Sequence, residues 1–381
     1  MKAVFSNVTA MCWSGMNFNV SNKVGDQTLV FGTYDGGLYL RDMNSETIEK
    51  IYQFSSEESI RQILLDKEYI TVLLEDGSVH RFSNTTQNFC GGPKIIAQNV
   101  DHMFSTHDVL MNDSTAYGYL GNNDTIVPVR NLEYFEGDCI FDKYLSCLAI
   151  NRFMSTASVY TLNLENYKTW AKDTFSFDGE FMSRVGEYLQ EHPVYCDDLD
   201  EEMIEQEEIM NSMLPESLVR SVHERNTYID FIKLYSSEDE DNPFVVTGGR
   251  DHRIIITDFV SHKVFFDQTF DEAPRCCCVS RDKIFVGCDN GTIVIINKAD
   301  YQFEEISVGE ERFKLIKNYT DKYIVAVNSD DAVFCLDMDN MQFAGEFIEN
   351  DSVIDVAITG DLSSCPVLVL TESGELLQME M

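Results

Sequence analysis

The sequence predicts an all-β fold of the β-propeller type. Short β-rich runs meet in pairs at turns built from Asp, Asn, Gly or Ser, and these hairpins recur roughly every 40 residues. Two of the clearest hairpins are residues 29–40 and 284–295. A single four-stranded sheet cannot bury its faces until neighbouring sheets stack against it, so a repeat of this length indicates the blades of a ring.

Eight turn markers define the repeat, and a single long interval interrupts it. Successive markers are 41, 37, 41, 97, 39, 40 and 43 residues apart. The sequence therefore predicts eight blades, with seven as the alternative if the two weak hairpins in the first half of the chain are not blades. The markers are Asp35, Asp76, Asp113, Met154, Asp251, Asn290, Asp330 and Ser373.

Candidate first and fourth strands flank the hairpins. Around Asn290 they are residues 275–279 and 301–306, and the outer run alternates apolar with polar residues, as an exposed edge should. The last hairpin ends at residue 381, which leaves its blade without a fourth strand. We expect residues 2–5 to supply that strand, closing residues 1–381 into a single propeller without open edges.

The long interval contains a segment, residues 181–225, in which the strand alternation disappears. Helix-type residues replace it, and no Lys or Arg lies between Arg184 and Arg220. We interpret this segment as an acidic insertion between two blades, either helical or disordered. Eight carboxylates crowd into twelve residues of it, among Leu, Met and Ile, and are the predicted partner-binding residues: Asp197, Asp198, Asp200, Glu201, Glu202, Glu205, Glu207 and Glu208.

The charge balance excludes several classes of partner. There are 28 basic and 65 acidic residues, a net charge of −37. Nucleic acids and anionic membranes bind through Lys and Arg, so we expect neither to bind directly, whereas a basic protein would be attracted. We find no membrane-spanning run and no signal-peptide pattern, and the eleven cysteines fit reduced thiols. We expect an intracellular protein, cytoplasmic or nuclear.

No constellation of residues predicts catalysis. The seven histidines lack the spacing of a metal site, and no phosphate-binding loop or nucleophile elbow occurs. The run Cys276-Cys277-Cys278 cannot ligate one ion, because adjacent residues of a strand point to alternate faces. We therefore predict no enzymatic activity, no cofactor, no metal and no small-molecule substrate.

The repeats resemble the WD40 family over nearly the whole chain except the insertion. Neither Trp13 nor Trp170 is followed by Asp, and the family's Gly-His pair does not occur. The resemblance implies a scaffold whose faces and rim bind peptides, helices or folded proteins. The motifs that carry it are Asp35-Gly36 followed by Arg41-Asp42, Gly248-Gly249-Arg250-Asp251 followed by Thr257-Asp258, and Asp330-Asp331 followed by Leu336-Asp337.

These observations predict a non-catalytic protein-interaction scaffold, a subunit of a complex whose partners are one or more proteins. The acidity leaves a second hypothesis open: a chaperone or escort for a basic client such as a ribosomal protein or a histone. A ubiquitin-ligase substrate receptor is a third hypothesis, because many propellers serve that role.

Overall fold

The structure is a computed structural model, and its strands fall into two units. Unit 1 comprises Met1–His107 with Glu272–Met381, and unit 2 comprises Asp108–Asp271. The structure describes residues 2–13, 28–42, 47–55, 58–65, 69–83, 92–103, 109–112, 116–120, 126–130, 135–140, 144–151, 156–163, 186–193, 223, 228–235, 243–258, 261, 263–319, 323–339, 342–347, 351–358 and 367–379.

Unit 1 contains, in its described residues, five antiparallel sheets of four strands each. Three of these sheets use strands from the first third of the chain. The strands are β1 (Lys2–Phe5); sheet 1, with β2 (Val8–Trp13), β3 (Thr28–Thr33), β4 (Gly37–Asp42) and β5 (Ile48–Gln53); sheet 2, with β6 (Ile60–Leu65), β7 (Tyr69–Leu74), β8 (Val79–Ser83) and β9 (Lys94–Ala97); and the short β10 (His102–Met103).

Unit 2 continues the antiparallel pattern. Its strands are β11 (Val109–Asn112), β12 (Ala116–Leu120) and β13 (Ile126–Arg130); β14 (Phe135–Ile140), β15 (Tyr144–Asn151) and β16 (Thr156–Asn163); and sheet 3, with β17 (Ile229–Tyr235), β18 (Phe244–Gly249), β19 (Arg253–Asp258) and β20 (Val264–Thr269). Within the predicted insertion, residues 186–191 are helical. The pairs β11–β12 and β15–β16 flank the two weak turn markers, so both hairpins form.

The last third of the chain completes unit 1. Its elements are sheet 4, with β21 (Pro274–Val279), β22 (Lys283–Cys288), the 3-10 turn η1 (Asp289–Gly291), β23 (Thr292–Asn297) and β24 (Phe303–Ser307); sheet 5, with β25 (Phe313–Tyr319), β26 (Tyr323–Asn328), β27 (Ala332–Asp337) and β28 (Gln342–Phe347); and sheet 6, with β29 (Val353–Ile358), β30 (Val367–Thr371), β31 (Leu376–Gln378) and β1. The all-β prediction is confirmed, whereas the count of eight blades stays a prediction.

The N-terminal strand belongs to the C-terminal sheet. Strand β1 pairs antiparallel with β31, with Lys2 opposite Gln378 and Ala3 opposite Leu377. The ring of Phe5 then packs edge-on against Phe31 of sheet 1, with ring centroids 4.9 Å apart. The N-terminal residues therefore supply the fourth strand of sheet 6, and the single propeller of residues 1–381 stays a prediction.

The middle strands of the sheets form the core. Every residue of β3 and β18 is buried, and β7, β22 and β26 are buried after their first residue. Strands covered on both faces need such continuous apolar runs. In unit 1 the first strands contact one another, β21 with β25, β25 with β29, β29 with β2 and β2 with β6. The sheets of unit 1 therefore pack in the order 4, 5, 6, 1, 2.

The turns between second and third strands share one backbone feature. The third residue of the turn has a positive φ in all six numbered sheets, and four of these residues are glycine, which accepts that conformation without strain. The φ angles are 76° at Gly36, 79° at Gly77, 63° at His252, 63° at Gly291, 62° at Asp331 and 84° at Gly374. In four of the six turns, the glycine that follows the marker in the sequence is therefore what the backbone requires.

Candidate functional site

The turns and the residues leading into the first strands lie at the same end of each sheet. The first residue of each turn donates its backbone N–H to the carbonyl of the residue just before the first strand. We call this end of the sheets the turn face. The bonds are Tyr34 to Asn7 (2.9 Å), Glu75 to Ser59 (2.9 Å), Arg250 to Tyr228 (2.8 Å), Asp289 to Ala273 (3.0 Å), Ser329 to Arg312 (2.8 Å) and Glu372 to Ser352 (2.7 Å).

A β-bulge recurs at the second residue of the first strand. It interrupts the register of β2, β6, β17, β21, β25 and β29 against their second strands. A bulge leaves one residue unopposed and re-aims its side chain, and bulges are frequent at functional sites. The six re-aimed residues on the turn faces are Thr9, Arg61, Asp230, Arg275, Lys314 and Ile354.

In two sheets the bulge residue is paired with the first residue of the turn. In sheet 4, Arg275 donates two hydrogen bonds to the carboxylate of Asp289, at 2.9 and 2.7 Å. In sheet 3 the charges are exchanged: Arg250 of the turn donates to Asp230 of the bulge at 3.4 Å, with the guanidinium 5.0 Å from the ring centre of Tyr228. A forked pair with two short bonds is held more firmly than a single long one.

Asp331 joins two sheets of unit 1. Its carboxylate accepts from Lys314 of its own sheet, from the hydroxyl of Ser352 at 3.2 Å and from the N–H of Val353 at 2.8 Å. Burial opposes ionisation, but these donors together hold the pKa of Asp331 below its ordinary value. Sheets 5 and 6 are therefore bonded through a carboxylate at the turn face.

Short polar side chains order the turn of sheet 1. The hydroxyl of Thr33 donates to Asp35 at 2.5 Å and accepts from the N–H of Gly37 at 2.9 Å. The bond from Thr33 is the main reason that the pKa of Asp35 lies below its ordinary value. Because Thr33 is buried, the turn backbone is fixed from below while Asp35 remains exposed.

A buried histidine stabilises the corresponding turn of sheet 3 in unit 2. His223 Nδ1 lies 3.0 Å from both carboxylate oxygens of Asp251, and Nε2 lies 2.9 Å from the hydroxyl of Thr247. The side chains of His223 and Asp251 are each 1% exposed. Burial is the main cause that lowers the pKa of His223, and Asp251 opposes it. The arrangement holds the turn and offers no reactive group to solvent.

The described part of the chain gives no sign of a metal or redox centre. Among its residues, no group of three His, Cys, Asp or Glu is placed to hold an ion, and no helix is long and apolar enough to cross a membrane. Burial raises the pKa of Cys276 well above its ordinary value and that of Cys288 to about 12. Both thiols are therefore protonated at neutral pH and weakly nucleophilic.

The predicted partner-binding carboxylates lie outside the described residues, all eight of them between 197 and 208. Neither the bulge residues nor the bonds of His223 were predicted from the sequence. A bulge depends on the register between two strands, and the sequence carries that register only weakly. The bonds of His223 to Asp251 and Thr247 join residues 28 and 24 positions apart, a separation that no local sequence pattern reveals.

Comparison with known proteins bears on the fold. No family model and no curated protein matches the sequence. Solved structures do match: the C-terminal WD40 domain of Sif2 has a TM-score of 0.60 at 9% identity, with 100% of this chain and 97% of that chain covered. Sqt1 of Saccharomyces cerevisiae has a TM-score of 0.58 at 10% identity, with 100% of this chain and 98% of that chain covered. The computationally designed Ika8 protein has a TM-score of 0.58 at 11% identity, with 100% of both chains covered. The chain thus has a WD40-like β-propeller fold.

Proposed function

We propose that this protein is a non-catalytic interaction scaffold that holds other proteins in a complex through its turn faces. The observation that carries the proposal is the pairing of exposed side chains with fixed backbone. Tyr34 is 72% exposed, yet its N–H is bonded to Asn7 and the next residue is held by Thr33. Such a surface loses little conformational entropy on binding, which favours affinity.

The test is purification of the tagged full chain from its native cells. A scaffold should elute with at least one protein at a fixed ratio, through successive columns and at moderate salt. Elution of the chain alone, at every salt concentration, would contradict the proposal. A companion screen of the purified chain for hydrolysis of ester, phosphate and peptide substrates should give no turnover above a heat-denatured control.

A second candidate function is an escort for a basic client protein. The net charge of −37 supports it, because such a charge attracts a basic surface over long distances. The client complex should then weaken steeply as salt is added, and replacing the eight carboxylates at 197–208 by Gln or Asn should weaken it further. Salt-insensitive binding would exclude this candidate and leave the scaffold proposal intact.

A further inference from the structure

In three of the turn ends, the side chains of the bulge and the turn are bonded to partners within the protein. In sheets 3 and 4 the bulge residue and the first turn residue form an ion pair. The pairs are Asp230 with Arg250 in sheet 3 and Arg275 with Asp289 in sheet 4. In sheet 5 the bulge residue Lys314 is bonded to Asp331, and the first turn residue, Ser329, lies 3.4 Å from a carboxylate oxygen of Glu311. In each of these three turn ends the charged bulge residue therefore has a partner of opposite charge within the protein.

The turn ends of sheets 6, 1 and 2 are different. Their bulge and first turn positions include Ile354 and Glu372 in sheet 6, Tyr34 in sheet 1, and Arg61 and Glu75 in sheet 2. Within the described part of the chain, no hydrogen bond or ion pair involves any of these five side chains. Tyr34 is 72% and Ile354 48% exposed. We call these three neighbouring turn ends the open sector.

Hydrogen bonds join the three turn ends of the open sector to one another. Val8, at the start of sheet 1, donates its N–H to Gly374 in the turn of sheet 6 at 2.8 Å, and β2 also contacts β29 and β30. The hydroxyl of Thr9, the bulge residue of sheet 1, donates to the carbonyl of Ile60 in sheet 2. The three turn ends are therefore adjacent, and their exposed side chains stand on backbone that is already ordered.

The open sector is strongly acidic. Among the described residues, its turns and the segments leading into its first strands hold seven acidic residues, and the basic residue of the sector is Arg61 at the bulge of β6. Tyrosine is frequent among residues that dominate binding energy, and the exposed Ile354 of the neighbouring sheet 6 adds apolar area. The acidic residues are Asp35, Glu58, Glu75, Asp76, Asp351, Glu372 and Glu375.

We propose that the open sector of unit 1 binds a basic segment of a partner protein, in which a large apolar side chain packs on Tyr34 and Ile354 while flanking Lys or Arg side chains face the surrounding carboxylates. The inference rests on the proposed scaffold function and names the site and the chemistry of its partner. Charge complementarity selects this occupant over an acidic one, because an acidic segment would meet seven carboxylates of its own sign.

The first test uses three labelled synthetic peptides and the full chain, with binding followed by fluorescence anisotropy. One peptide alternates Lys with Leu, one alternates Lys with Ser, and one alternates Glu with Leu. We expect the Lys–Leu peptide to bind best, the Lys–Ser peptide more weakly and the Glu–Leu peptide not at all. Equal binding of the two lysine peptides would overturn the proposal that an apolar side chain contributes. Binding of the Glu–Leu peptide would overturn the proposal that the partner segment is basic.

The second test locates the binding site with matched variants. Tyr34→Ala combined with Ile354→Ser should weaken the Lys–Leu peptide about tenfold or more, which is the scale of a dominant interface residue. Phe303→Ser is the apolar control and Glu304→Gln the charge control, because both residues are exposed on the outer strand β24. These controls should change the affinity less than about twofold. Equal losses in the test and control variants would overturn the proposal.

Copurification from native cells separates this inference from the scaffold function. If the Tyr34→Ala/Ile354→Ser chain still recovers the partner at the wild-type ratio, the open sector is not the docking site and the scaffold function stands. If the wild-type chain recovers no partner, the scaffold function fails. Loss of the partner from the double variant, with the β24 controls unaffected and the unfolding midpoints equal, supports both.

Discussion

Asp331 Oδ1 accepts the backbone N–H of Val353 at 2.8 Å, across the boundary between sheets 5 and 6. Asp331 also has a φ of 62°, in the left-handed region that disfavours side chains other than Asn, Asp and Gly. Aspartate tolerates this conformation, and its carboxylate in addition bonds to the next sheet. A turn residue thus fixes the contact between two sheets as well as its own hairpin.

Replacing Asp331 should therefore reduce stability in a graded way. Asp331→Ala keeps the strained φ and loses every side-chain acceptor, so we expect a loss of about 2 kcal/mol in the free energy of unfolding. Asp331→Asn tolerates the left-handed backbone and can still accept from Val353, so its loss should be about half as large. Urea unfolding of the two variants measures the difference. Equal stability of the Ala and Asn variants would show that the acceptor is unimportant.

The buried His223 predicts a pH dependence with a definite sign. Its pKa is lowered in the folded state, chiefly by burial, so the unfolded chain binds a proton more readily. The stabilisation by neutral His223 is therefore complete above the unfolded pKa of about 6.5 and is lost as the pH falls towards the lower folded value. His223→Gln should be less stable than the wild type at pH 8, and its stability should change less between pH 7 and pH 5.

The measurement is the free energy of unfolding across that pH range for both proteins. His192→Gln is the matched control, because His192 is exposed beside the helical residues 186–191. It should keep the wild-type pH dependence. If His223→Gln follows the wild-type curve in parallel, the titration of His223 does not contribute to acid sensitivity.

The features that could be predicted from the sequence are those determined by residues close together in the chain. The hairpins were predictable, because a turn such as Asp76-Gly77 and the apolar runs beside it are adjacent in the chain, and β7 and β8 form there. The bulge at Arg61 was not, because it depends on how β6 pairs with β7. The open sector depends on which charges find partners, so it could be recognised only once side chains such as Arg275 and Asp289 were seen together.

The ion pairs of sheets 3 and 4, which occupy equivalent positions with the charges reversed, should have different coupling energies. Arg275 and Asp289 form a forked pair with side chains 20% and 27% exposed, whereas Arg250 is 55% exposed and reaches Asp230 through one 3.4 Å bond. A double-mutant cycle with alanine should give a coupling of about 1 kcal/mol for the first pair and close to zero for the second. Adding salt should reduce the first coupling only partly, because the pair is half-buried. Equal couplings would mean that the fork geometry adds nothing.

Gly291 and Gly92 allow two costs of a side chain to be separated. Both have a positive φ, 63° and 67°, but a Cβ on Gly291 would lie 2.4 Å from the backbone carbon of Gly309, whereas nothing lies within 4 Å of one on Gly92. Gly92→Ala should therefore cost only the left-handed strain, about 1 kcal/mol. Gly291→Ala adds a clash with backbone that cannot rotate away, so we expect a total of about 3 kcal/mol or more. Thermal and urea unfolding of both variants measure the two costs. Equal losses would show that the segment around Gly309, between β24 and β25, moves aside freely.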